Sequence, residues 1–140
     1  MPTDEPAAIV RRIFEDGLNG RDFAVFDALL ATDYLAHSAL LGDVRGVERF
    51  KQGFRAFLDP CPDFHAALED LVTAGEKVVA RVTYRGTDTG GMFGRAPTGR
   101  AFTMGALYLF RVADGQVREL WQEADRLGLL RQLGAVPPTP

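Results

Sequence analysis

Apolar positions in the first third of the chain recur at helical spacing. Between Glu5 and Leu18 they fall at Ala8, Ile9, Ile13, Phe14 and Leu18, one stripe of an amphipathic helix that Asn19-Gly20 stops. Asp22 is placed to cap a second, shorter helix through Leu29 and Leu30. The stretch DYLAHSAL, 33–40, nearly alternates and predicts a short strand, which Gly42 breaks. Gly46 opens a third helix, VERFKQGFRAFL, with Val47, Phe50, Phe54, Phe57 and Leu58 on one stripe.

Beyond Pro60-Cys61-Pro62 the character changes from helix to sheet. FHAALEDLVTAG, 64–75, suits either period, but the β-branched AGEKVVARVTYRGT that follows a Gly-containing turn makes the two a hairpin. AFTMGALYLFRV, 101–112, is a further strand, and Asp114-Gly115 turns it back into VRELWQEAD, 117–125. A last short helix, RLGLLRQLG, ends at Gly134. Segregated helices and a four-strand antiparallel meander predict an α+β fold in one domain over 1–136, with a disordered tail at 137–140.

Composition narrows the classes. A hydrophobic share of 46% with ten Phe suits a globular domain. A net charge of −3 with interspersed signs offers no basic face for nucleic acid. The N-terminus lacks the apolar run of a signal peptide and no stretch reaches membrane-span length, so no membrane partner and a cytoplasmic location are expected. The single cysteine, Cys61, reads as a spectator thiol; no metal ligand set, nucleophile elbow or cofactor motif is present.

GTDTGGMFGRAPTGR, 86–100, carries five glycines, yet it lies between two strands and no G-K-[ST] follows. It is therefore a wide strand connection, turning at Pro97-Thr98-Gly99, rather than a phosphate cradle. Its Met92-Phe93 pair is expected to cover a pocket mouth or a subunit contact. This stretch, with RVADGQVRELWQEADRLGLLRQLG after it, resembles the SnoaL-like polyketide cyclases. Gly86, Thr87, Asp88, Gly90, Gly94, Pro97, Thr98 and Gly99 carry the first half of the likeness; Arg111, Asp114, Gly115, Glu119, Trp121, Asp125, Gly128, Gln132 and Leu133 carry the second. Asp88 stands where many members have His. The resemblance implies a cone-shaped curved antiparallel sheet wrapped around three N-terminal helices, as in nuclear transport factor 2 and ketosteroid isomerase, enclosing an apolar cavity. It also implies acid/base chemistry on a small apolar or aromatic carbonyl compound without cofactor, metal or covalent intermediate, and a homodimer through the sheet face, where Val79 and Leu109 remain apolar.

Counting back from Asp114-Gly115 places Tyr108 opposite Trp121, so that Met104, Ala106 and Tyr108 share a face with Trp121, Glu123 and Asp125. Phe102 then fits only if alternation breaks somewhere. Asp125 reads equally as the N-cap of the last helix and as a catalytic carboxylate. His37, placed by the ketosteroid isomerase likeness where those enzymes keep their base, is the second acid/base candidate. Trp121, Tyr108, Glu123, Phe14 and Phe93 are the expected substrate contacts; Glu119 and Arg81 are a candidate ion pair, and His65 is expected at the surface. An aldol-type ring closure leads. Epoxide hydrolysis, which needs Asp125 to converge with Glu123 or Asp33 on one water, and a non-enzymatic binding domain are the rivals.

Overall fold

The computed structural model describes residues 5–38 and 42–136; the expected tail at 137–140 lies outside the described residues. Helix α1 (Glu5–Arg12) continues directly as a π-helical segment, Ile13–Asn19, and is followed by α2 (Ala24–Leu29), β1 (Leu30–Ser38), β2 (Gly42–Arg45) and α3 (Val47–Leu58). The meander is β3 (His65–Ala74), β4 (Lys77–Thr87), β5 (Ala101–Ala113) and β6 (Gln116–Ala124), closed by α4 (Arg126–Gln132). Two expectations change. Asp22 offers its backbone carbonyl, not its side chain, to Val25 at the start of α2, and the break at Gly42 begins a second strand instead of ending the sheet.

The six strands form one curved open sheet in the order β2-β1-β6-β5-β4-β3. All pairings are antiparallel except β1 with β6, which is parallel. Alternation along β4 and β5 sends Val78, Ala80, Val82, Tyr84 and Phe102, Met104, Ala106, Tyr108, Phe110 to one buried face. Against it pack Ile13, Phe14 and Leu18 from the first helix, Phe26 from α2 and Phe50 and Phe57 from α3. Each fully buried Phe or Leu contributes about 1.5–3 kcal/mol, so this layer fixes the helices to the sheet. Gly17 allows the closest approach: a Cβ there would sit 2.4 Å from the Phe26 ring.

One residue of β6 decides which side chains see the interior. Pairing runs Ala113 with Gln116 and Val112 with Val117, then shifts by one, so that Arg111 meets Glu119 and Tyr108 meets Gln122. The extra residue is a β-bulge, and beyond it every side chain of β6 has exchanged faces relative to an unbulged ladder. Trp121 therefore pairs with Leu109 and Glu123 with Leu107, both away from Tyr108. The shared face expected for Tyr108 and Trp121 is wrong for this reason, and Phe102 needs no break in alternation.

Candidate active site

A cavity of about 110 Å³ opens between α3, β1 and β6 on the inner face. Its apolar wall comes from Tyr34, Phe50, Phe54, Phe57 and Leu120. Polar atoms enter from β5 and β6 through Tyr108 and Gln122, and cationic ones from Arg49 on α3 and Arg126 at the start of α4. The described lining residues include no Asp, Glu or His. Pockets that enclose drug-sized ligands hold about 300–1,000 Å³, so this cavity has room to enclose only part of such a ligand.

At its floor the Tyr108 hydroxyl is hydrogen-bonded to the Tyr84 hydroxyl, and Gln122 Nε2 donates to Tyr108 Oη over 3.1 Å. Tyr84 has no other hydrogen-bond partner among the described residues and does not line the cavity. When Tyr84 donates its proton to Tyr108, the Tyr108 oxygen accepts two hydrogen bonds and its own proton is left to point into the cavity. Burial pushes the Tyr108 hydroxyl up to about 12, against the lowering effect of its bonds to Tyr84 and Gln122. It is a donor at neutral pH. The Phe14 ring meets Tyr108 edge-on at 5.4 Å and Phe110 stacks on it at 5.6 Å, so the phenol is held in place. Phe14 thus supports the site from behind and is not among its lining residues.

The connection between β4 and β5 supplies no described lining residue but packs against two of them, Phe57 and Arg126, through Phe93. Asp88, 1% exposed, accepts hydrogen bonds from the Gly91, Met92 and Thr98 amides and from the Thr98 hydroxyl. Burial pushes its carboxyl up, but these bonds outweigh it and hold the group below the ordinary carboxylate range. Met92 is buried, whereas Phe93 stands at φ 56° with its ring edge-on to Phe57 and the Arg126 guanidinium 5.3 Å above it. The Met-Phe pair thus divides: one member anchors the loop, and the other packs on Phe57 and Arg126 without itself being among the described lining residues.

Four expected site residues lie elsewhere. His37 pairs with Trp121 across β1 and β6, and the two rings stack at 5.1 Å on the outer sheet face. Its Nδ1 is 2.8 Å from Asp43 Oδ1 and its Nε2 2.7 Å from Glu119 Oε2, a geometry that calls for an imidazolium donating to both. Bonds to Glu119 and then Asp43 raise its pKa. His37 is therefore tied to carboxylates outside the cavity, and Glu119 pairs with it and with Arg111, while Arg81 pairs with Asp70. Asp125 caps α4, accepting from the Gly128 amide at 2.9 Å, and is exposed. It borders an outer groove with Glu123, whereas Asp33 borders another with Arg45 and Arg118, so the carboxylates needed for epoxide hydrolysis do not meet in the cavity. His65 is exposed, as expected. Cys61 is buried and its thiol is pushed up to about 11. Among the described residues no three His, Cys, Asp or Glu side chains converge as metal ligands, and no helix is long and apolar enough to cross a membrane.

The family model of SnoaL-like polyketide cyclases matches residues 8–133. The chain belongs to that family. Among curated SnoaL-like relatives, aklanonic acid methyl ester cyclase DnrD of Streptomyces peucetius is 33% identical over 94% of this chain and 92% of its own length. DauD of Streptomyces sp. (strain C5), also an aklanonic acid methyl ester cyclase, is 32% identical over 94% of this chain and 83% of its own. The crystal structure of IdmH from Streptomyces antibioticus superposes with a TM-score of 0.81 at 31% identity, covering 92% of this chain and 98% of that one. The cone expected from the resemblance is thus the fold observed. Gln122, Tyr84 and Arg126 were missed: the bulge hid the first, Tyr84 was read only as part of a strand, and Arg126 stood beside a more conspicuous carboxylate.

Proposed function

We propose that the protein is a cofactor-independent cyclase that closes a ring by intramolecular aldol addition in a polyketide-like carbonyl compound. The Tyr108 hydroxyl, supported by Tyr84 and Gln122 inside an aromatic cavity, is the observation that carries this reading. The reactive carbonyl seats against that hydroxyl. Loss of a proton from the carbon between two carbonyls gives an enolate, whose oxygen is the charge that Tyr108 stabilises. The enolate carbon bonds to a second carbonyl of the same molecule, and the resulting alkoxide takes up a proton. The proton lost at carbon is regained at oxygen, so the product is an isomer of the substrate.

With no carboxylate or imidazole among the described lining residues, water at the open mouth receives and returns the proton. The chain supplies enclosure, orientation and a preorganised donor. Asp125 and His37 are not assigned as its acid/base groups. Names of the relatives direct the choice of first substrate to aklanonic acid methyl ester. Turnover of that compound or a truncated diketone analogue by wild type and Tyr108→Phe is the test: comparable rates would remove Tyr108 from the chemistry. The cytoplasmic form proposed is a homodimer joined through the outer sheet face, where Val79 and Leu107 are exposed. A single-chain mass by light scattering at micromolar concentration would refute that assembly.

A further inference from the structure

The cavity has an unusual charge balance for an apolar site. Among the described lining residues are two arginines and no carboxylate. Arg126 is partly buried, and it lies over two aromatic faces, 5.4 Å from the Phe57 centroid and 5.3 Å from that of Phe93. Neither Arg126 nor Arg49 has a hydrogen bond or ion pair from its side chain to any described residue. Arg11, Arg12, Arg81 and Arg111 do, with Glu15, Asp16, Asp70 and Glu119; Arg55, Arg85, Arg95 and Arg131 also lack one, but none of those four lines the cavity. The aromatic contacts orient the Arg126 fork and cover its faces, but they leave its N–H edge without an acceptor among the described residues. A partly desolvated cation with free donors, at the rim of a cavity open to a ligand, is a receptor for an anion.

We infer that Arg126 and Arg49 form an anion subsite and that this cyclase acts on polyketides bearing a free carboxylate at the end that enters the cavity. The inference rests on the cyclase reading for the class of carbon skeleton. Tyr108 and the arginines then divide the work: the phenol meets the reactive carbonyl oxygen while the guanidiniums hold the carboxylate and set which end goes in. A carboxylate matches the planar fork of Arg with two parallel hydrogen bonds, which a methyl ester cannot accept with comparable strength. The specificity so predicted differs from that in the names of the two curated relatives, whose substrate is a methyl ester.

The test is binding, kept apart from turnover. Anthraquinone-2-carboxylate and its methyl ester are titrated into the full chain by calorimetry at low and high salt. The acid is expected to bind wild type at least about tenfold more tightly than the ester, with the advantage shrinking as salt rises. Arg126→Gln and Arg49→Gln should each reduce that advantage, the double variant should abolish it, and ester affinity should fall far less than acid affinity. Arg126→Lys, which keeps the charge but loses the fork, should retain part of it. Arg49 is exposed on α3, so its variant folds irrespective of the fate of Arg126. Equal affinity for acid and ester in wild type, binding of neither probe, or a preference that survives in the double variant overturns the subsite. Such a failure leaves ring closure intact; conversely, an acid preference with no cyclisation of any diketone refutes the cyclase reading and spares the subsite.

Discussion

Replacing Tyr108 by Phe removes one oxygen at the floor of the cavity and leaves the ring between Phe14 and Phe110. If that hydroxyl stabilises the enolate, kcat should fall about 10²–10³-fold, the usual loss of one preorganised oxyanion donor. The variant also strips Tyr84 of its only hydrogen-bond partner among the described residues, and Gln122 of its acceptor there. Leaving such groups unpaired costs about 1–3 kcal/mol of stability. Tyr84→Phe separates the two effects. It leaves Tyr108 bonded to Gln122 and able to donate to the ligand, so stability falls by about 1 kcal/mol and kcat by well under tenfold. Rates of ring closure are followed by chromatography, with urea unfolding to correct for the folded fraction. Because the Tyr108 hydroxyl is pushed up to about 12, its contribution should not vary between about pH 6 and pH 10. A Tyr108→Phe rate within about threefold of wild type, or a Tyr84→Phe loss as large as that of Tyr108→Phe, would refute the wiring.

Two further outcomes follow from the outer face and the last helix. The pKa of His37 is raised above its unfolded value by Glu119 and Asp43, so its stabilisation is complete below about pH 6.5 and disappears as pH rises through the folded value. The melting temperature of His37→Gln should therefore lag wild type more at about pH 5.5 than at about pH 9, and a gap independent of pH would contradict the double carboxylate bond. Asp125→Ala should cost about 1 kcal/mol through loss of the α4 cap, Asp125→Asn a few tenths, and neither should change kcat. A tenfold lower kcat in the Asn variant would, at about 1.4 kcal/mol, return that carboxylate to the chemistry.

Most of the fold was legible because its signals are local and repeated. Ile9, Ile13 and Phe14 mark one helix face, and the alternation from Val78 to Tyr84 and from Phe102 to Phe110 marks one sheet face. Even the ambiguous 64–75 segment was decided by its hairpin partner, with which it pairs from His65 to Ala74. The site was harder. Its composition depends on parity, and parity in β6 depends on the one-residue shift between Val117 and Glu119, which no residue type there announces. Counting from the turn at Asp114-Gly115 puts Trp121 and Glu123 indoors; the shift puts Gln122 there instead. The parallel pairing of β1 with β6 escaped for a related cause, since its partners lie more than eighty residues apart, and β2, which pairs with β1 only four to ten residues away, is too short to show a pattern of its own.

The segment from Asp88 to Arg100 has a fixed frame and a changeable tip. Its two ends are tied by the Asp88 amide to the Arg100 carbonyl and the Gly99 amide to the Asp88 carbonyl. The buried carboxylate gathers the near turn, and Thr89 and Gly90 dock on the Pro60 carbonyl. Phe93, Arg95 and Ala96 project from this frame and are exposed. Residues at the tip can therefore be exchanged as a cassette while the sheet and its phenol keep their positions. Substitutions at the tip, beside Phe57 and Arg126, come at little cost to folding.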